Sequence, residues 1–144
     1  MPLAQESLDR FMSSYECNTE NADPAAVAGQ FADPFLAAGP EGSIVVPAAV
    51  FARNLPGRKR LFDSAGLKNA KVVDRRDTMI GDRYVLVDTQ WQMDFNPKGE
   101  LAVSITVSSS FLIDMGGTAP KILVYLPHRD IFQLLRNQGL LPAE

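Results

Sequence analysis

The stretch Arg83-Tyr84-Val85-Leu86-Val87-Asp88-Thr89-Gln90-Trp91-Gln92-Met93-Asp94-Phe95 alternates residue by residue. Val85, Val87, Trp91, Met93 and Phe95 fall on one side with Thr89 among them; Tyr84, Leu86, Asp88, Gln90, Gln92 and Asp94 fall on the other. Such alternation marks a strand with one buried face. Leu101 to Ile113 repeats the pattern. Leu101, Val103, Ile105, Val107, Phe111 and Ile113 form its apolar row, with Ser109 in it, opposite Ala102, Ser104, Thr106, Ser108, Ser110 and Leu112. Two long strands with one greasy face between them require a cover of helices.

Working outward, Lys71–Ile80 and Lys121–Leu126 read as further strands. Gly81-Asp82 and Asn96-Pro97-Lys98-Gly99 are hairpin turns, and Asp114 to Pro120, with Gly116-Gly117, is a looser connection. Short turns make consecutive strands antiparallel neighbours. The length of the two central strands makes the sheet twist or bend. A short last helix covers about Ile131 to Asn137 and is followed by Gly139.

The N-terminal half carries a helical period. From Leu3 to about Asn18, Leu8, Phe11, Met12 and Tyr15 lie on one face of an amphipathic helix. Asn18 to Ala22 is polar and reads as a turn. Asp23-Pro24 starts a second, short helix, with aspartate as cap and proline at the first helical position. Val27 and Phe31 point inward from it, and Asp33-Pro34 ends it. Phe35 to Gly42 reads as a loop of small residues, and Ile44 to Val46 as a short extended piece. A third helix runs from Pro47 to Leu55. Pro56-Gly57 interrupts it as a tight turn, helix resumes through Leu61, Phe62 and Ala65, and Gly66 caps its end.

These elements define an α+β fold: N-terminal helices packed on one strongly curved, mostly antiparallel sheet, with a short C-terminal helix. The 144 residues fit one domain spanning 1–144. A formal net charge of -3 argues against a nucleic-acid binder, for which a basic footprint is expected. No run of apolar residues is long enough to span a membrane. Met1-Pro2-Leu3-Ala4-Gln5-Glu6 does not read as a signal peptide, so the expected location is cytoplasmic. The single cysteine, Cys17, excludes an intrachain disulfide and leaves a Cys/His zinc site short of ligands; it is expected as a small buried side chain. No metal or cofactor is called for, since there is no phosphate loop, dinucleotide fingerprint or nucleophile elbow.

Several stretches bear a resemblance that covers nearly the whole chain. Phe11-Met12-Ser13-Ser14-Tyr15, Phe31-Ala32-Asp33-Pro34-Phe35 and Gly39-Pro40-Glu41-Gly42 are three of them. Tyr84-Val85-Leu86-Val87 leading to Trp91, and Ile122-Leu123-Val124-Tyr125-Leu126 leading to His128-Arg129-Asp130, are two more. Together with the order of elements they resemble the nuclear transport factor 2-like superfamily, a SnoaL-like, cystatin-like α+β cone. The resemblance implies a cavity between the helices and the concave face of the sheet, and a homodimer through the sheet. These are scaffold motifs and carry no catalytic signature. Catalytic members such as ketosteroid isomerase, scytalone dehydratase and polyketide cyclases use acids or histidines projecting into the cone. Here Asp88 and Asp94 fall on the polar face of their strand, away from that cavity.

The only histidine, His128, is a candidate general base or acid with Asp130 to orient it, its free pKa being ~6.5. The alternative makes Asp130 the N-cap of the last helix, with Gln133 in the capping-box position and His128 at a strand exit. Tyr15, Phe31, Phe35, Phe51, Trp91, Met93, Ser109 and Tyr125 are candidate ligand-binding residues, with core packing as their other reading. Their composition suits a small apolar or weakly polar ligand. Arg58-Lys59-Arg60 reads as a solvated helix face. The uncharged outer row of the third strand reads either as a dimer surface or as an ordinary solvated face. Three functions follow: a small-molecule-binding domain, an isomerase, dehydratase or cyclase using His128, or a protein-interaction module.

Overall fold

A computed structural model describes residues 2–21, 23–97 and 101–142. In chain order the elements are α1 (Pro2–Asn21), α2 (Pro24–Ala28), β1 (Phe31–Gly39), β2 (Gly42–Val46) and α3 (Ala48–Ser64). They continue with β3 (Leu67–Ile80), β4 (Tyr84–Phe95), β5 (Val103–Asp114), β6 (Lys121–Pro127) and α4 (Ile131–Asn137). The strands form one six-stranded sheet in the order β2-β1-β6-β5-β4-β3. Only the β1–β6 pair is parallel.

The alternation in β4 and β5 translates directly into burial. Val85, Val87, Thr89, Trp91, Met93 and Phe95 are all buried, as are Ile105, Ser109, Phe111 and Ile113 across from them. The register sets Trp91 opposite Val107 and Thr89 opposite Ser109. Leu8, Phe11, Met12 and Tyr15 of α1 close over this face with Val27 of α2. Each fully buried apolar side chain here contributes about 1.5–3 kcal/mol of transfer free energy. A second cluster, around Met93, Phe95, Ile105 and Ala65, seats α4 through Leu135 and the tail through Leu141. Arg75 of β3 ties α1 to the sheet by reaching both Asp9 and Asp77. Register shifts within β3 and β6 bend the ladder.

The N-terminal half departs from its sequence reading in several places. Phe31–Gly39 is a strand, not the end of α2 and a loop. Ala, Pro and Gly are weak strand formers, but β1 finds partners on both edges, with Phe35 opposite Val46 in β2 and Leu36 opposite Val124 in β6. Phe31 and Phe35 therefore share a strand face, and both are buried. The Asp33–Pro34 peptide within β1 is cis. Likewise α3 is not interrupted at Pro56-Gly57. Phe51, Leu55, Arg58 and Phe62 follow one helical stripe on either side of the proline, and their tertiary contacts outweigh the hydrogen bond it removes.

Smaller differences have local causes. α1 continues through Asn18 to Asn21, over the stretch expected as a turn. Asp23 does cap α2, accepting from the Ala26 amide at 3.2 Å. Asp33 caps α3 from a distance in sequence, accepting from Ala48 N–H at 3.0 Å. The capping residue at the end of α3 is Ala65, and Gly66 follows with φ +87°. A Cβ on Gly66 would lie 2.8 Å from the Asn96 carbonyl oxygen, so only glycine fits. Cys17 is exposed rather than buried, because it falls off the stripe that ends at Tyr15. Leu101 precedes β5 and is 88% exposed. Lys98 and Gly99, half of an expected turn, lie outside the described residues.

Candidate functional site

Between the helices and the covered face of the sheet lies a cavity of about 640 Å³. Trp91 and Met93 of β4, Val107, Ser109 and Phe111 of β5 and Tyr125 of β6 form its floor. Tyr15 of α1, Val27 of α2 and Phe51 and Leu55 of α3 form its roof, and Phe31 closes one side. Pockets for small molecules typically measure about 300–1,000 Å³. An adjoining groove of about 510 Å³ runs beside the β1–β2 hairpin. Arg58, Tyr125, Pro127, Arg129 and Ile131 line both spaces, so they frame the doorway between them.

The wall is aromatic and its rings brace one another. Phe31 lies 4.5 Å from Phe35 and 4.6 Å from Phe51 between centroids. Tyr15 meets Phe111 at 5.2 Å and Trp91 at 6.1 Å, both edge-on. Tyr125 stacks on Phe111 at 5.4 Å. Tilted and edge-on pairs of this kind add roughly 0.5–1.5 kcal/mol each beyond their buried area.

Polar groups are few, and most are accounted for. The Trp91 indole N–H donates to Thr89 Oγ1 at 2.9 Å. Thr89 in turn donates to the Ser109 carbonyl at 2.8 Å, and its oxygen lies 3.0 Å from Ser109 Oγ. The single proton of Thr89 is thus committed, so Ser109 donates to it and keeps acceptor capacity at the cavity wall. Tyr15 differs. It is buried, and its hydroxyl has no hydrogen-bond partner among the described residues. Burial pushes that phenol well above the usual tyrosine range; Tyr125 adds to the rise and Arg58 opposes it. Tyr15 therefore stays protonated and stands ready to donate. Asn69, also on the wall, has a buried side-chain oxygen with no partner among the described residues.

Arg58 corrects the reading of its basic run as a solvated face. Its guanidinium carbon sits 5.1 Å from the ring centroids of both Phe62 and Phe132. It has no carboxylate partner among the described residues, whereas the neighbouring Lys59 pairs with Asp63 at 2.6 Å. The spacing Phe51, Leu55, Arg58, Phe62 is the signal that places Arg58 on the inward stripe, and a reading by charge run passes over it.

Of the candidates taken from the sequence, Tyr15, Phe31, Phe51, Trp91, Met93, Ser109 and Tyr125 come together on the wall. Phe35 packs behind Phe31 and Phe51 without lining the cavity. His128 and Asp130 are not brought together. His128 is exposed, and its Nε2 lies 2.8 Å from Ser110 Oγ, which donates to Asp88 at 2.5 Å on the outer face of the sheet. Asp130 caps α4, accepting from the amides of Phe132 and Gln133 at 3.1 and 3.2 Å. The Gln133 side chain reaches forward to Asn137 rather than back to close a capping box. Two of the carboxylates on the cavity wall are engaged elsewhere, Asp23 as a cap and Asp63 with Lys59. Among the described residues no group of His, Cys, Asp and Glu has the arrangement to hold a metal ion.

No family model matches the chain, and no curated protein matches its sequence. Solved structures match its shape. Aln2 from a Streptomyces species aligns with a TM-score of 0.73 at 10% identity, covering 93% of this chain and 96% of that one. A nuclear transport factor 2-like superfamily protein from Salmonella enterica serovar Typhimurium aligns at 0.67 and 13% identity, covering 89% and 92%. A ketosteroid isomerase-like protein from Erwinia carotovora atroseptica aligns at 0.67 and 12% identity, covering 85% and 93%.

Proposed function

We propose that this chain, which has the nuclear transport factor 2-like fold, binds a small and mostly apolar molecule in the cavity between its helices and its sheet. The observation that carries the reading is Tyr15. Its ring is buried while its hydroxyl opens onto the cavity and bonds to no described residue, so it is free to donate to a molecule that enters. The aromatic wall supplies the apolar contacts, and the acceptor capacity of Ser109 supplies a second polar contact. A proton-transferring role of the kind suggested by the isomerase-like neighbour has less support. It needs a base inside the cavity; His128 engages Ser110 on the other face of the sheet, and Glu20, which lines the cavity, is solvent-exposed.

The test uses Trp91, the sole tryptophan and part of the wall. Neutral apolar ketones and phenols are titrated against its fluorescence and against the melting temperature. A compound that binds stabilises the fold by about 2.7 kcal/mol at a hundred times its dissociation constant. Val107→Phe, which fills the cavity, is expected to remove both responses while the protein remains folded. The proposal fails if no compound raises the melting temperature, or if Val107→Phe leaves the responses intact.

A further inference from the structure

We infer that the ligand is an apolar carboxylic acid, its carboxylate held at the doorway by Arg58 and its body inside the cavity. This rests on the binding reading above and narrows it. The guanidinium of Arg58 packs on the contacting ring pair Phe62 and Phe132, half-buried, at the boundary of cavity and groove. Contact with both rings restricts its rotamers and leaves the rest of the planar fork open, so less freedom is lost when it meets a carboxylate. A partly desolvated cation with no carboxylate partner among the described residues is a recognition group in want of an anion. Arg129 lines the same two spaces and adds a second positive charge there. Asp63 is paired with Lys59; Asp130, bound to the amides of α4, and Glu41 line the groove side only, and neither forms an ion pair with Arg58.

The rest of the site favours carboxylate over phosphate. Phosphate sites gather several backbone amides around the anion. Here the first amides of α4, the helix nearest the doorway, are occupied by Asp130. What remains is one positioned guanidinium, a companion arginine and an apolar chamber behind them. Deeper in, the hydroxyl of Tyr15 is placed to donate to a carbonyl or hydroxyl oxygen on the body of the acid.

The experiment measures dissociation constants for matched pairs, octanoate with octanamide and phenylbutyrate with phenylbutyramide, on the full chain by calorimetry. The acid of at least one pair is expected to bind roughly tenfold or more tighter than its amide. Arg58→Met is expected to bring the ratio close to one, chiefly by weakening the acid. The wild-type protein gives a second readout, since added salt weakens the acid and spares the amide. Equal binding of acid and amide, or a preference that survives Arg58→Met or is indifferent to salt, overturns the inference and leaves the binding proposal standing. Failure of every acid and every amide to bind overturns the binding proposal, and this inference with it.

Discussion

The indole N–H of Trp91 is donated to the hydroxyl of Thr89, 2.9 Å away and two positions back on the same face of β4. Thr89 also takes the proton of Ser109, so two buried donors converge on one oxygen. Thr89→Val removes that oxygen and leaves both donors without it. The expected loss is about 1–3 kcal/mol, seen as a lower urea midpoint at unchanged slope, with altered Trp91 emission.

Asp33 reaches from β1 to the first amide of α3, joining the strand least legible in the sequence to the helix that roofs the cavity. Asp33→Ala is expected to cost about 0.5–2 kcal/mol, and Asp33→Asn, which keeps an acceptor, distinctly less. Chemical denaturation of the two variants side by side checks this.

Arg83 holds Asp114 through two hydrogen bonds, at 2.8 and 2.9 Å, and the Gly116 amide adds a third. The Arg83 contact first, and then the Gly116 amide, keeps the pKa of Asp114 below the ordinary carboxylate range. A carboxylate depressed in the folded state stabilises above its unfolded value, about 3.9, and that contribution disappears as pH falls through the folded value. Asp9 and Asp94 shift the same way. Stability is expected to fall on acidification below about pH 4, and Asp114→Asn to make the fall shallower without abolishing it. Denaturant midpoints across acid pH measure both slopes.

The alkaline limb has the opposite sign and a different origin. Burial raises the pKa of Tyr15, so its contribution is complete below the unfolded tyrosine value of about 10 and is lost as pH climbs toward the folded one. Tyr15→Phe is expected to flatten the decline in stability above about pH 10. At neutral pH it should change stability little, because no internal hydrogen bond is lost. The same pH series on the two proteins decides it.

What could be read from the sequence followed from how far each signal depends on neighbours. Val85 to Phe95 and Leu101 to Ile113 announce their buried faces because side-chain alternation belongs to the strand itself. The Leu8, Phe11, Met12 and Tyr15 stripe does the same for α1. Phe31–Gly39 gives no such signal, since its strand state comes from pairing with β2 and β6. Pro56 misleads for a similar reason, because the contacts of Phe51, Leu55 and Phe62 hold the helix together around it. At the site, the aromatic wall was visible as apolar residues in phase. The fixing of Arg58 was not, because its second ring comes from Phe132 on α4. His128 and Asp130 are near in sequence yet face separate tasks, since a strand exit and a helix start diverge within three residues.

The doorway is shared between the middle of α3 and the junction from β6 into α4, two places remote along the chain. Its width is therefore set by how firmly the terminal helix rests on its seat of Met93, Phe95 and Ile105. Loosening that seat at Leu135 would shift Phe132 and with it Arg58, changing the way in and the hold on an acid together. Entry and retention thus both answer to how one short helix is seated.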